Sequence, residues 1–209
     1  VVTVRGVRFA FLGYFFLGTN NIEPPQVIAT DTTPGVAGHV ESVEAVKAML
    51  SADMRAAKKR ADHVIAFFHW GREGRTTPEP YQVELGHLAI DVGASAVIGS
   101  HPHVLQGIEV YRGAPIAYSL GNFVFGGNWN PRDKRTALLH VSFEKSRLLS
   151  TEVIPAMSDA YPERPVQPYF PSDGGVVLSH LTTLSEGFGA TIPALRRLDA
   201  GVSAPPAAP

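Results

Sequence analysis

The sequence predicts an α/β fold with mixed β-sheets, and three observations carry that reading. Two short apolar runs, "HVIAFFHW" (His63 to Trp70) and "SAVIGS" (Ser95 to Ser100), have the length and continuity of buried strands. Each follows a segment with helical spacing. After Ser100 the pattern changes to short β-rich runs separated by turn residues. The order is therefore strand, helix, strand, helix, strand, then hairpins.

The elements follow from the residues in turn. "VVTVRGVRFAFLGY" reads as two strands meeting at Gly6. "NNIEPPQVIATDTTPGVAGH" is rich in Pro, Gly and Thr and is predicted to be a loop. From about Ser42 to Arg60, Val43, Val46, Met49, Leu50 and Met54 fall near helical spacing, with basic residues on the other face. His63 to Trp70 is expected to be buried on both sides. "GREGRTTPEP" is a loop, and Tyr81 to Gly93 is an amphipathic helix ending on glycine. "IEVYRGAPIAYSLGNFVFG" predicts a hairpin turning at Arg112-Gly113, and "ALLHVSFEKSRLLSTEVIPA" two further strands around Lys145-Ser146. Residues 157–209 read as a Pro-rich extension ending in a tail, "GVSAPPAAP".

Composition removes several functions. A chain of 209 residues with 44% hydrophobic and 18% charged residues is globular, and a net charge of −1 argues against a nucleic-acid partner. There are no cysteines, so disulfides and thiolate metal sites are excluded. No apolar run reaches the roughly 18 residues of a membrane span, and "RFAFLGYFFLG" lacks the basic leader and cleavage site of a targeting segment. The chain starts at Val1, which suggests a piece of something longer. No P-loop, dinucleotide fingerprint or nucleophile elbow occurs.

The chemistry-bearing residues lie where the two apolar runs end. His69 closes the first, and "SHPH" follows the second. If the segment after Ser100 is extended, His101 and His103 point the same way, and Pro102 stiffens them. Gly99 would allow a close backbone approach. Three convergent neutral imidazoles would begin a divalent-metal site. The plainer reading is that each is a polar group satisfied at a strand end. His39, His63, His87, His140 and His180 have no such context and read as structural or surface residues. Glu109 reads as an exposed strand acid with a possible site role. Arg72 and Arg75 are either solvated loop charges or contacts for an anionic substrate.

"FFHWGREG", "QVELGHLAIDVGASAVIGSHPHVLQGIEVYRGAPIAYSLGNFVFG" and "VIPA" resemble the poly-γ-glutamate capsule-synthesis protein family, itself similar to the calcineurin-like metallophosphoesterases. The resemblance runs over residues 1–156 and corresponds to the C-terminal half of the family domain. It implies a sandwich of two mixed β-sheets flanked by helices in four layers, with a two-metal centre (Mn, Fe or Zn) at the strand ends. By resemblance His69 and His101 match ligands of one metal and His103 a ligand of the other. His69, Glu73 and Asn122 become the catalytic candidates. The family's upstream Gly-Asp, Asn-Leu-Glu and Asn-Asn-His are absent, since Asn20-Asn21 is followed by Ile22. Two functions are thereby expected: metal-dependent hydrolysis of an anionic polymer or phosphoester at the bacterial cell envelope, or a non-catalytic binding component among other capsule-synthesis proteins. An apolar sheet face or edge left uncovered is expected where the missing half would pack.

Overall fold

The structure is a computed structural model that describes residues 1–18, 27–39, 42–125, 130–158 and 168–188. Six strands form one mixed sheet: β1 (Val2–Val4), β2 (Val7–Phe16), β3 (His63–Trp70), β4 (Ala96–Ser100), β5 (Ile108–Tyr111) and β6 (Ala114–Ala117). Their order is β1-β2-β3-β4-β6-β5. The central four are parallel, and β1 and β5 run antiparallel at the two edges. Each edge hairpin turns on an Arg-Gly pair with both residues at positive φ, Arg5-Gly6 and Arg112-Gly113. That geometry matches the twist of two-residue hairpins, and it confirms both predicted turns.

Helices α1 (Val43–Lys58) and α2 (Pro80–Asp91) make the β2–β3 and β3–β4 crossovers. Ser42 caps α1 by accepting from the Ala45 N–H, and the buried stripe Val46, Leu50 and Met54 is the one the spacing predicts. Both helices cover the same face of the sheet. There Val64, Phe68 and Trp70 of β3 pack with Tyr14, Leu50, Leu85 and Ala89.

The second sheet has the order β7-β8-β9, with β7 (Arg135–Phe143), β8 (Leu148–Ser158) and β9 (Pro168–Tyr169), and is antiparallel throughout its described strands. It packs with helix α3 (Gly175–Ser185) against the opposite face of the first sheet. Ile108, Ala117, Ala137, Val153, Val177 and Leu181 form this second core. Two mixed-and-antiparallel sheets with helices outside them agree with the predicted α/β sandwich. The 157–209 region differs from the sequence reading. β8 continues to Ser158, and Val177 and Leu181, four residues apart on α3, are buried. The expected C-terminal tail, 201–209, lies outside the described residues.

β3 is not buried on both sides. His63 and Ile65 are covered, but Phe67 on the same face is 42% exposed and pairs with Phe11, 54% exposed, at a ring separation of 6.2 Å. The second sheet reaches this face only at the strand's start. There the His63 Nε2–H donates to the Glu144 carbonyl (2.6 Å), and the Phe143 ring lies 4.5 Å from the imidazole. Nδ1 then accepts from the Ser95 hydroxyl (3.0 Å), so His63 is a structural residue. The uncovered apolar face expected from the sequence is therefore present around Phe11 and Phe67. No helix of the described residues is long and apolar enough to cross a membrane.

Candidate metal centre

β3 and β4 are parallel, with His69 opposite Ser100, so the chain leaves both at the same end of the sheet. Side chains of different strands can meet there. His69 stacks on Phe15 of β2 (5.5 Å, 11°). The His101–His103 segment is not extended, which corrects the sequence expectation. His101 has φ +99° and His103 φ +59°. Pro102 fixes its own φ but cannot hold its neighbours straight, because the chain must turn out of β4 at that point. Two non-glycine residues in this region store strain, on the order of 1–3 kcal/mol each, of the kind found at ligand sites. The turn, not strand alternation, brings the imidazoles together.

The Gly74 N–H donates to the Pro102 carbonyl (2.8 Å) and pins the "GREG" loop to this bend. Glu73 thereby joins the histidines: donor atoms of Glu73, His101 and His103 all lie within 4.8 Å of one another. The His69 ring flanks this group, 4.6 Å from His101, and His101 lies 6.0 Å from His103. His69, His101 and His103 thus gather at one end of the sheet, and Glu73, named by resemblance as a catalytic candidate, is grouped with the histidine pair.

The electrostatics favour ligation. Burial, reinforced by the neighbouring His69 and His103, pushes the His101 imidazole down to about 4, so it is neutral at pH 7 and offers a lone pair. His103 Nδ1 lies 2.7 Å from Asn122 Oδ1. An amide oxygen can only accept, so Nδ1 carries the proton and Nε2 is left as the ligand atom. Asn122 Nδ2 also donates to the His103 carbonyl (3.3 Å), fixing ring and backbone together. Asn122, itself buried, touches a candidate ligand and orients it.

The supporting frame is buried and polar. The Trp70 indole N–H donates to the Tyr118 carbonyl (2.9 Å), and Gly99 lies between them. A Cβ on Gly99 would sit 2.0 Å from that carbonyl oxygen, so glycine is required here. Tyr118 precedes the segment that carries Asn122, and its hydroxyl donates to Glu109 (2.6 Å). Glu109 is buried, not exposed as its strand position suggested, because it faces the helical side and meets His87 of α2 at 2.9 and 3.0 Å. Gln82 and Gln106, both buried, continue the frame through a 3.0 Å bond, and Gln106 holds the Arg75 carbonyl (2.9 Å). The backbone of the "GREGR" loop is therefore fastened at two points.

Beside His103 opens a cleft of about 470 Å³ lined by Glu73, Asn122, Phe125 and Arg132, among others. Arg72 and Arg75, the cations singled out in the sequence, do not line it. Arg132 and Phe125 were missed. Both follow the "SLGN" segment in sequence, and only the return of the chain toward β7 brings them to the bend.

The donor set fits a borderline dication. Two neutral imidazoles and a carboxylate are the protein ligands of catalytic zinc sites that keep an open position, and the same types serve iron and manganese. The fold and the strand-end cluster together define an α/β protein with a histidine-rich group at the carboxyl ends of its central strands. The family model described as "Bacterial capsule synthesis protein PGA_cap" matches residues 1–127, and the chain belongs to that family. The chain is 37% identical over 152 residues to "PGA biosynthesis protein CapA" of Bacillus subtilis, covering 73% of this chain and 37% of that protein. It is 36% identical over 155 residues to "Capsule biosynthesis protein CapA" of Bacillus anthracis, covering 73% and 35%. A "Probable polyglutamine synthesis accessory protein" of Mycobacterium tuberculosis is 33% identical over 113 residues, 51% of this chain and 30% of that one. The chain spans little more than a third of the length of the Bacillus relatives.

Proposed function

We propose that this member of the capsule-synthesis family acts on an anionic polymer or phosphoester at the bacterial envelope, through a metal ion held by Glu73, His101 and His103. The observation that carries this reading is the convergence of those three donor groups within 4.8 Å, beside a cleft. A bound dication would supply Lewis acidity and a nucleophilic water at neutral pH. The chain's own residues do the rest. Asn122 keeps the proton of His103 on Nδ1, burial keeps His101 neutral, and the Gly74–Pro102 bond keeps Glu73 at the bend. In this grouping, which differs from the His69–His101 pairing that the resemblance implies, His69 would be a donor for a second ion, which would need further carboxylates to offset its charge.

A second reading is a binding component that holds the polymer for other capsule-synthesis proteins without cleaving it. The single carboxylate in the three-residue cluster favours it, since hydrolytic two-metal pairs rely on more anionic ligands.

Metal content per chain, measured by elemental analysis after loading with Mn²⁺ or Zn²⁺ and dialysis, tests the first reading. His103→Ala should lower affinity by at least about 10–100-fold, the loss known for groups one step removed from a metal. His87→Ala, whose side chain faces Glu109 and not the cleft, should change stability but not metal content. Equal metal content in the two variants sinks the metal reading. Full metal content without hydrolysis of a generic phosphodiester or of γ-linked polyglutamate selects the binding reading.

A further inference from the structure

We propose that Arg132 is the anion anchor of the cleft beside His103, holding a phosphate or carboxylate of the substrate while the neighbouring bond faces Glu73, His101 and His103. The proposal rests on the reading of that cluster as the functional centre and adds the group that selects what enters it.

Three observations carry it. First, Arg132 is the one side chain of fixed positive charge among the described residues that line the cleft, and it is exposed. Second, the nearest acid in sequence cannot neutralise it. The Asp133 carboxylate accepts from the Arg135 N–H (3.0 Å), Nε (2.9 Å) and Nη2 (2.9 Å). Burial would raise the Asp133 carboxyl, but these bonds outweigh it and hold it below its ordinary value. Asp133 and Arg135 thus satisfy one another, and among the described residues no ion pair forms on Arg132. Third, Arg132 is flanked by ordered contacts. Pro131 is buried, and the Asp133–Arg135 fork leads directly into β7. The guanidinium is therefore presented beside a buried proline and the ordered start of β7.

The chemistry names the ligand class. A guanidinium offers a planar fork of donors that matches two oxygens of a carboxylate or phosphate. Glu73, which also lines the cleft, would repel the same anion unless a cation lies with it, so an anionic group is expected to settle on Arg132. Phe125 and Val104 add apolar surface to the lining. The lining thus combines an acid and the His103 imidazole with a guanidinium that no acid among the described residues pairs. That arrangement suits a substrate with a negative charge a short distance from the reacting bond.

Binding of inorganic phosphate and of the γ-linked dipeptide of glutamate, followed by calorimetry or chemical-shift titration in excess EDTA, tests this without any metal. The wild-type chain should bind at least one of the two saturably. Arg132→Gln should weaken that binding by about tenfold, the worth of a charge-assisted hydrogen bond. Arg132→Lys should recover part of the loss, because charge returns without the fork. Arg60→Gln, an exposed cation at the end of α1, should bind as wild type does. Loss confined to phosphate assigns a phosphoester, and loss confined to the dipeptide assigns a carboxylate. The proposal is overturned if neither anion binds the wild type, if Arg132→Gln binds within twofold of it, or if Arg60→Gln loses as much. Because metal is absent throughout, failure of the metal reading would leave this outcome unchanged.

Discussion

The two faces of the six-stranded sheet are built from the same strands and have opposite fates. On the helical face, Val64, Ala66, Phe68 and Trp70 of β3 are all essentially inaccessible beneath α1 and α2. On the other face, the covered residues His63 and Ile65 give way to Phe67 and His69, both exposed. Stability and function are thus separated by the parity of one strand. Even positions anchor the fold. Odd positions near the strand end carry a histidine beside the candidate centre and an aromatic pair that nothing described covers.

Substitutions should break or preserve this contrast in a definite order. Trp70→Ala should have the largest effect, about 3–5 kcal/mol in chemical denaturation, because it empties a large buried site and leaves the Tyr118 carbonyl without its donor. A loss below about 1 kcal/mol would mean that the helical face is not the anchor.

A smaller effect is expected at the strand end and depends on pH. The folded His101 is held near 4, below its unfolded value of about 6.5, so the unfolded chain binds the extra proton between the two. Stability contributed by the neutral imidazole is complete above about pH 6.5 and is lost as pH falls toward 4. Urea melts of the metal-free chain between pH 7 and pH 4 should show this slope. His101→Asn, which tolerates the positive φ and does not titrate, should flatten it. An unchanged slope would assign the acid sensitivity to other groups.

Phe67→Ser should have the smallest effect on the isolated chain, within about 0.5 kcal/mol, because its ring is largely in water already. The informative readout is association. If the aromatic face is a docking surface, Phe67→Ser should abolish whatever self-association or partner binding the chain shows in sedimentation while leaving the melt in place.

Much of this plan was legible in the residues, and the exceptions have physical causes. Helices and strands emerged where local pattern and burial agree, as in the Val46, Leu50 and Met54 stripe. The hairpins emerged because Arg-Gly satisfies a turn that needs positive φ. The site was legible as residue types at strand ends. Its geometry was not, since nothing local reveals that His101 and His103 bend into the left-handed region or that Gly74 reaches Pro102. Glu109 was misread because a strand position does not say which face a helix covers. Arg132 was missed because the cleft is closed by segments about thirty residues apart in sequence, Pro102 to Val104 and Pro131 to Asp133. α3 was missed because a composition rich in proline masked a short apolar helix.

The adjacency of His69 and Trp70 has a consequence for how the chain tolerates error. One of the pair flanks the candidate centre and the other belongs to the core, and the alternation of the strand alone decides which is which. Inserting or deleting a single residue within β3 would turn the indole toward water and the imidazole into the helices. Such a frame change cannot yield a folded protein with a subtly displaced centre, because the slip that moves His69 also removes Trp70 from beneath α1 and α2. β3 therefore works as a parity check: a chain that folds has, by folding, already placed this histidine on the correct side.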